Sequence, residues 1–128
     1  MFKRIDHLEL IPSDFEKSIA FYTGVLGFTL KERIKIATPP LEEIAYLKLG
    51  DTVLELLRVT DAACANNEPW SIGYRMMALE VEDMDRAIEY LAEQGVAITW
   101  GPVHLGNSKR AEIHDIDGFS IELRQWLE

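Results

Sequence analysis

Three side chains far apart along the chain have the types that do chemistry together: His7, Glu55 and Glu122. One imidazole and two carboxylates can pass protons near neutral pH or hold a hard cation. Strand alternation predicts where they point. In Arg4–Ile11, Leu8 and Leu10 take one face while Ile5, His7, Glu9 and Ile11 take the other. In Thr52–Val59, Leu54 and Leu56 are assigned to the helix-packed face, leaving Val53, Glu55 and Leu57 on the opposite one. In the last strand Ile121 and Leu123 face a helix, and Ser120, Glu122, Arg124 and Trp126 point away. Met76 shares that outward parity. If each half of the chain curls into half a barrel, His7, Glu55, Glu122 and Met76 meet in one cleft. Two carboxylates there repel, and one would keep its proton unless a divalent ion removed the conflict. Plainer readings stay open: His7 as a partly exposed strand residue, and Glu55 as the ion-pair partner of Arg75 or Arg124.

The elements that must position these groups recur twice. After the first strand, Ser13 and Glu16 read as a capping box. Phe15, Ile19, Tyr22 and Leu26 form a helical stripe, closed by Gly24 and Gly27. Three strands are expected next, over Phe28–Ile36, Glu43–Leu49 and Thr52–Val59. A break falls at Thr38-Pro39-Pro40 and a tight hairpin at Gly50-Asp51. The second half repeats the order. It has a strand over Arg75–Val81, an N-cap at Asp83, and a stripe of Met84, Ala87, Ile88 and Leu91 ending at Gly95. Strands follow over Val96–Trp100, Arg110–His114 and Phe119–Trp126, the last two joined by Asp115-Ile116-Asp117-Gly118. The run Asp14-Phe15-Glu16-Lys17-Ser18-Ile19 overlays Asp83-Met84-Asp85-Arg86-Ala87-Ile88, so the repeat unit is β-α-β-β-β. One domain is expected, with module one at 1–60, a connector at 61–71 and module two at 72–128.

Composition excludes several classes. The 128 residues, 48% hydrophobic and 27% charged, suit one globular domain. Thirteen Lys and Arg face 22 Asp and Glu, a formal net charge of −9. That sign disfavours nucleic acid and anionic membranes as partners. The single cysteine, Cys64, permits neither an intrachain disulfide nor a thiolate zinc cluster and reads as structural. No stretch approaches the ~18 consecutive apolar residues of a membrane span. With no signal-peptide run at Met1–His7, the chain reads as cytoplasmic. Nucleotide-binding glycine motifs, G-x-S-x-G and C-x-x-C are absent.

The segments Ile5-Asp6-His7-Leu8, Asp14–Tyr22, Val25-Leu26-Gly27-Phe28, Leu54-Glu55-Leu56-Leu57 and Asp117–Leu123 together resemble the glyoxalase/bleomycin-resistance/dioxygenase superfamily, the vicinal oxygen chelate proteins. The resemblance covers essentially the whole chain. It implies an α+β fold: two tandem β-α-β-β-β modules forming a curved, partly open β-barrel cleft with helices outside. It implies metal ligands at His7, Glu55 and Glu122. The fourth ligand position, commonly histidine, holds Met76, whose thioether suits a hard ion poorly. His114, beside the final hairpin, is a candidate replacement, whereas His104 reads as a loop residue. The implied activity is that of a glyoxalase- or epimerase-like lyase or isomerase acting on a small carbonyl or thioester. Its cofactor would be a divalent Zn, Ni, Mn, Co or Fe ion, and Glu122 and Glu55 would be its catalytic carboxylates. Met76, Tyr74, Arg124 and Trp126 would line the substrate cleft. The alternative is a metal-free, non-catalytic small-molecule binder resembling the drug-sequestering members. A homodimer is expected by the same resemblance.

Overall fold

A side-chain oxygen that satisfies the first free amides marks where each helix starts. Asp14 accepts from the Lys17 amide at 3.0 Å and Asp83 from the Arg86 amide at 3.1 Å. The first of these revises the expected capping box: the cap is Asp14 rather than Ser13. Glu16 is instead bound by Arg33, at 2.6 and 2.9 Å. A carboxylate accepts more strongly from an amide than a hydroxyl does, and Asp14 has the extended backbone of a cap.

The computed structural model describes residues 1–66 and 68–128. Asn67, inside the expected connector, lies outside the described residues. The chain divides into two units, Met1–Ala65 and Asn66–Glu128. The first contains β1 (Leu8–Leu10), α1 (Phe15–Gly24), β2 (Thr29–Thr38), β3 (Leu41–Leu49) and β4 (Thr52–Val59). The second contains β5 (Met77–Glu80), α2 (Met84–Glu93), β6 (Trp100–Leu105), β7 (Ser108–His114) and β8 (Ser120–Trp126). Each unit forms one four-stranded sheet, ordered β1-β4-β3-β2 in one and β5-β8-β7-β6 in the other. In both, the first strand pairs in parallel with the last and the remaining pairs are antiparallel. The fold is α+β, built from the β-α-β-β-β order twice over.

Each helix covers the face on which alternate strand residues are apolar. In the first unit Phe15, Ile19 and Tyr22 are buried with Ala45, Leu47, Leu54 and Leu56. Tyr22 packs edge-on against Phe28, with ring centroids 5.7 Å apart. In the second, Met84 and Leu91 are buried with Ala111, Ile113, Ile121 and Leu123. Burying a leucine of this kind contributes about 2 kcal/mol. Gln125 Oε1 also accepts from the Met84 amide at 2.8 Å, tying the start of α2 to β8.

Some expected strands move. Val96–Trp100 is not a strand. The Val96 amide bonds back to the Leu91 carbonyl at 2.9 Å, closing α2, and pairing with β7 starts only at the Thr99 amide, 2.8 Å from the Glu112 carbonyl. The strand there is Trp100–Leu105, so His104, expected in a loop, pairs across from Lys109. Pro102 fits because β6 is an edge strand. Gly101 is required, since a Cβ there would lie 2.7 Å from the Arg110 carbonyl. β1 and β5 are shorter than Arg4–Ile11 and Arg75–Val81, and Leu8, on the leucine face of the first strand, is exposed. An edge strand of three residues has little sheet or helix to cover it.

Candidate functional site

Register brings the first unit's polar groups together. In the parallel β1–β4 pair, Glu9 stands beside Glu55, with Leu8 beside Leu54 and Leu10 beside Leu56. Glu55 therefore projects from the face opposite buried Leu54 and Leu56. His7, just ahead of β1, has the parity of Glu9. Its Nε2 lies 3.0 Å from Glu9 Oε2 and 3.2 Å from Glu55 Oε2, and its Nδ1 lies 2.9 Å from Asp6 Oδ2. One ligand atom from each of His7, Glu9 and Glu55 falls within 4.8 Å of the others.

The electrostatics favour positive charge at this place. Hydrogen bonds to Asp6 and then Glu9 push the His7 imidazole up to about 9, against the opposing effect of burial. The same bond holds the Asp6 carboxyl below its usual range. Burial pushes the Glu55 carboxyl up, opposed by the charge of His7. Carboxylates that stabilise an imidazolium attract a divalent ion to the same place. Imidazole with two carboxylates is also a donor set that first-row divalent ions accept. The residues present therefore fit a metal, and binding one would displace the His7 proton.

The second unit repeats the ladder with different side chains. Ala78 stands beside Glu122 on β5–β8 just as Glu9 stands beside Glu55, and Met77–Ile121 matches Leu8–Leu54. Met76, just ahead of β5, thus takes the place that His7 takes in the first unit, and Glu122 takes the place of Glu55. Arg124 Nε donates to Glu122 Oε2 at 2.8 Å, and its guanidinium lies 5.0 Å from the Trp126 ring centroid. Glu112 is the direct partner of Glu122 across β7–β8, with Arg75 3.9 Å from it. Arg75 also contacts Met76 Sδ at 3.3 Å. Tyr74 lies outside any strand and is exposed, as is Cys64. His114 ends β7, exposed, across from Ser120.

Sequence reasoning thus singled out His7 and Glu55, which the fold places in contact, but passed over Glu9. The signal was present: Glu9 follows His7 by the two-residue period of a strand.

The sequence model of the glyoxalase/bleomycin resistance protein/dioxygenase superfamily matches residues 4–123. The chain belongs to this superfamily. A lactoylglutathione lyase of Neisseria meningitidis serogroup A is 35% identical over 130 residues, covering 95% of this chain and 90% of the relative. The crystal structure of a glyoxalase family protein from Enterococcus faecalis superposes with a TM-score of 0.81 at 27% identity, covering 96% of this chain and 98% of that one. TnmS3, an antibiotic-binding protein from Streptomyces sp. CB03234, superposes with a TM-score of 0.76 at 25% identity, covering 98% and 97%. Among superfamily members, then, this chain keeps the doubled β-α-β-β-β order and places a histidine and two glutamates at one point of its first sheet. No helix among the described residues is long and apolar enough to cross a membrane.

Proposed function

We propose that the protein is a metal-dependent, glyoxalase- or epimerase-like lyase or isomerase acting on a small carbonyl or thioester substrate. The observation that carries this reading is the convergence of His7, Glu9 and Glu55. Lactoylglutathione lyase relatives at 30–35% identity support the reaction class. In this reading His7, Glu55 and Glu122 hold a divalent ion, with Glu9 as an additional donor. Such an ion, when bound, supplies Lewis-acid polarisation of a substrate oxygen.

The chain's own residues have separate tasks. Asp6 Oδ2, 2.9 Å from His7 Nδ1, orients the ring so that Nε2 faces Glu9 and Glu55. Arg124 fixes the Glu122 carboxylate in one orientation through Nε. Glu122 and Glu55 are the groups assigned to take a proton from the carbon next to the carbonyl and to return it at the neighbouring position. Met76, Tyr74, Arg124 and Trp126 are assigned to the substrate. Trp70, Ile72 and Tyr74 are exposed apolar groups that support a homodimer, and the protein is read as cytoplasmic.

The test supplies the hemithioacetal of methylglyoxal and glutathione to protein reconstituted with Zn, Ni, Mn, Co or Fe, and follows thioester formation and bound metal. Stoichiometric metal and turnover, both lost in His7→Ala, are expected. Full turnover by Glu122→Gln would remove the proton-transfer role, and failure to retain any of these ions would remove the metal reading.

A second reading has its own observation. Met76 occupies the place matching His7, and an antibiotic-binding protein shares the fold. A metal-free binder of apolar small molecules would use Met76 and Trp126 as lining. Ligand binding indifferent to a chelator, with no turnover, would select it.

A further inference from the structure

We infer that Arg110 and Arg124 together form a subsite for an oxyanion, a carboxylate or a phosphate, carried by the substrate. The inference rests on the reading of Glu122 as a substrate-facing carboxylate and adds what that substrate must carry.

Arg110 and Arg124 are direct partners across the β7–β8 ladder. Like charges placed opposite one another destabilise a sheet. The fold does not require them, because at the matching rung of the first unit the partners are Ile44 and Leu57. An apolar pair therefore satisfies this backbone, and the two cations need another reason.

Both guanidinium groups are held through Nε. Arg110 Nε donates to Ser108 Oγ at 3.1 Å, and the buried Ser108 donates in turn to the Leu105 carbonyl at 3.1 Å. Arg124 Nε donates to Glu122 Oε2, and its plane lies over Trp126. Neither arginine's Nη groups have a hydrogen-bond partner among the described residues. Of the acids on the same face, Glu122 already takes Arg124 Nε and Glu112 has Arg75 at 3.9 Å. Glu80, across from Arg124 on β5, is exposed and makes no ion pair among the described residues. Two oriented guanidinium forks with their outer N–H groups unpaired match the oxygens of a carboxylate or phosphate. Bound anion would relieve the repulsion between them.

The test uses the full chain, treated with a chelator and titrated separately with succinate and with inorganic phosphate. Calorimetry and the arginine side-chain Nε–H NMR resonances report binding. Wild type should saturate with one of the two anions, which names the group. Arg110→Ile and Arg124→Leu introduce the side chains that the first unit carries at this rung. Each should weaken binding about tenfold or more; without anion, Arg110→Ile should melt no lower than wild type, whereas Arg124→Leu also frees the Glu122 carboxylate and is read by its binding alone. Arg110→Lys and Arg124→Lys keep the charge, lose the fork and should bind with intermediate strength. Binding of neither anion by wild type, or equal binding by wild type and either apolar variant, overturns the inference. Because metal and turnover are absent from the measurement, metal uptake without anion binding would sink this inference alone. Anion binding by a chain that takes up none of the divalent ions on reconstitution would sink the metal reading alone.

Discussion

His7 and Met76 stand at the same rung of two matching ladders. Each immediately precedes a strand whose first residue pairs in parallel, Leu8 with Leu54 and Met77 with Ile121. One module thus places an imidazole 3.2 Å from its glutamate, whereas the other places a thioether at the corresponding position.

That relationship predicts a gain of function. Met76→His should put an imidazole beside Glu122 and raise affinity for a divalent ion by about tenfold or more, within the range that a metal-site contact commands. Competition against a chromophoric chelator measures it. Unchanged affinity would mean that position 76 does not face the metal.

Loss of His7 or Glu55 should act in the opposite direction. His7→Ala and Glu55→Gln should each weaken metal binding by about tenfold to a hundredfold. Glu9→Gln should weaken it less if Glu9 is an additional rather than a required donor. Equal losses for all three would make Glu9 a full ligand.

Acid stability should depend on Glu43. This carboxylate is 5% exposed, and Arg33 Nε donates to it at 2.7 Å while also binding Glu16. The Arg33 hydrogen bonds hold both carboxyls below their usual range. A carboxyl lowered in the folded state adds stability above its unfolded value, and that stability is lost as pH falls through the folded one. The melting temperature should therefore drop as pH falls below about 4.5. Glu43→Gln should flatten that acid limb. At neutral pH it should cost about 1–3 kcal/mol, discounted because Arg33 is partly exposed and keeps Glu16. An unaltered acid limb would contradict this assignment.

The helix caps make a separate prediction. Asp14→Ala and Asp83→Ala should each destabilise the chain by about 1 kcal/mol in urea unfolding, since each removes the acceptor for an amide of the first turn. No loss in Asp14→Ala would return the cap to Ser13.

Much of the fold could be read from local pattern. The Leu54/Leu56 and Ile121/Leu123 alternations set which way Glu55 and Glu122 face, and Thr52–Val59 matches β4 end to end. The reading failed where backbone partners outweighed residue preference. Val96 to Thr99 looks like a strand by composition, but helix closure claims the Val96 amide. His104 looks like loop between Pro102 and Gly106, but the Lys109 pairing recruits it into β6.

What the sequence determined by itself was the doubled order of elements and the facing of each polar group, because side-chain alternation and helical stripes are local properties of the chain. Only the tertiary structure decided the partners. Residues 7 and 55, or 110 and 124, become neighbours through strand register, and register is set by long-range pairing of backbone amides and carbonyls that no local pattern records.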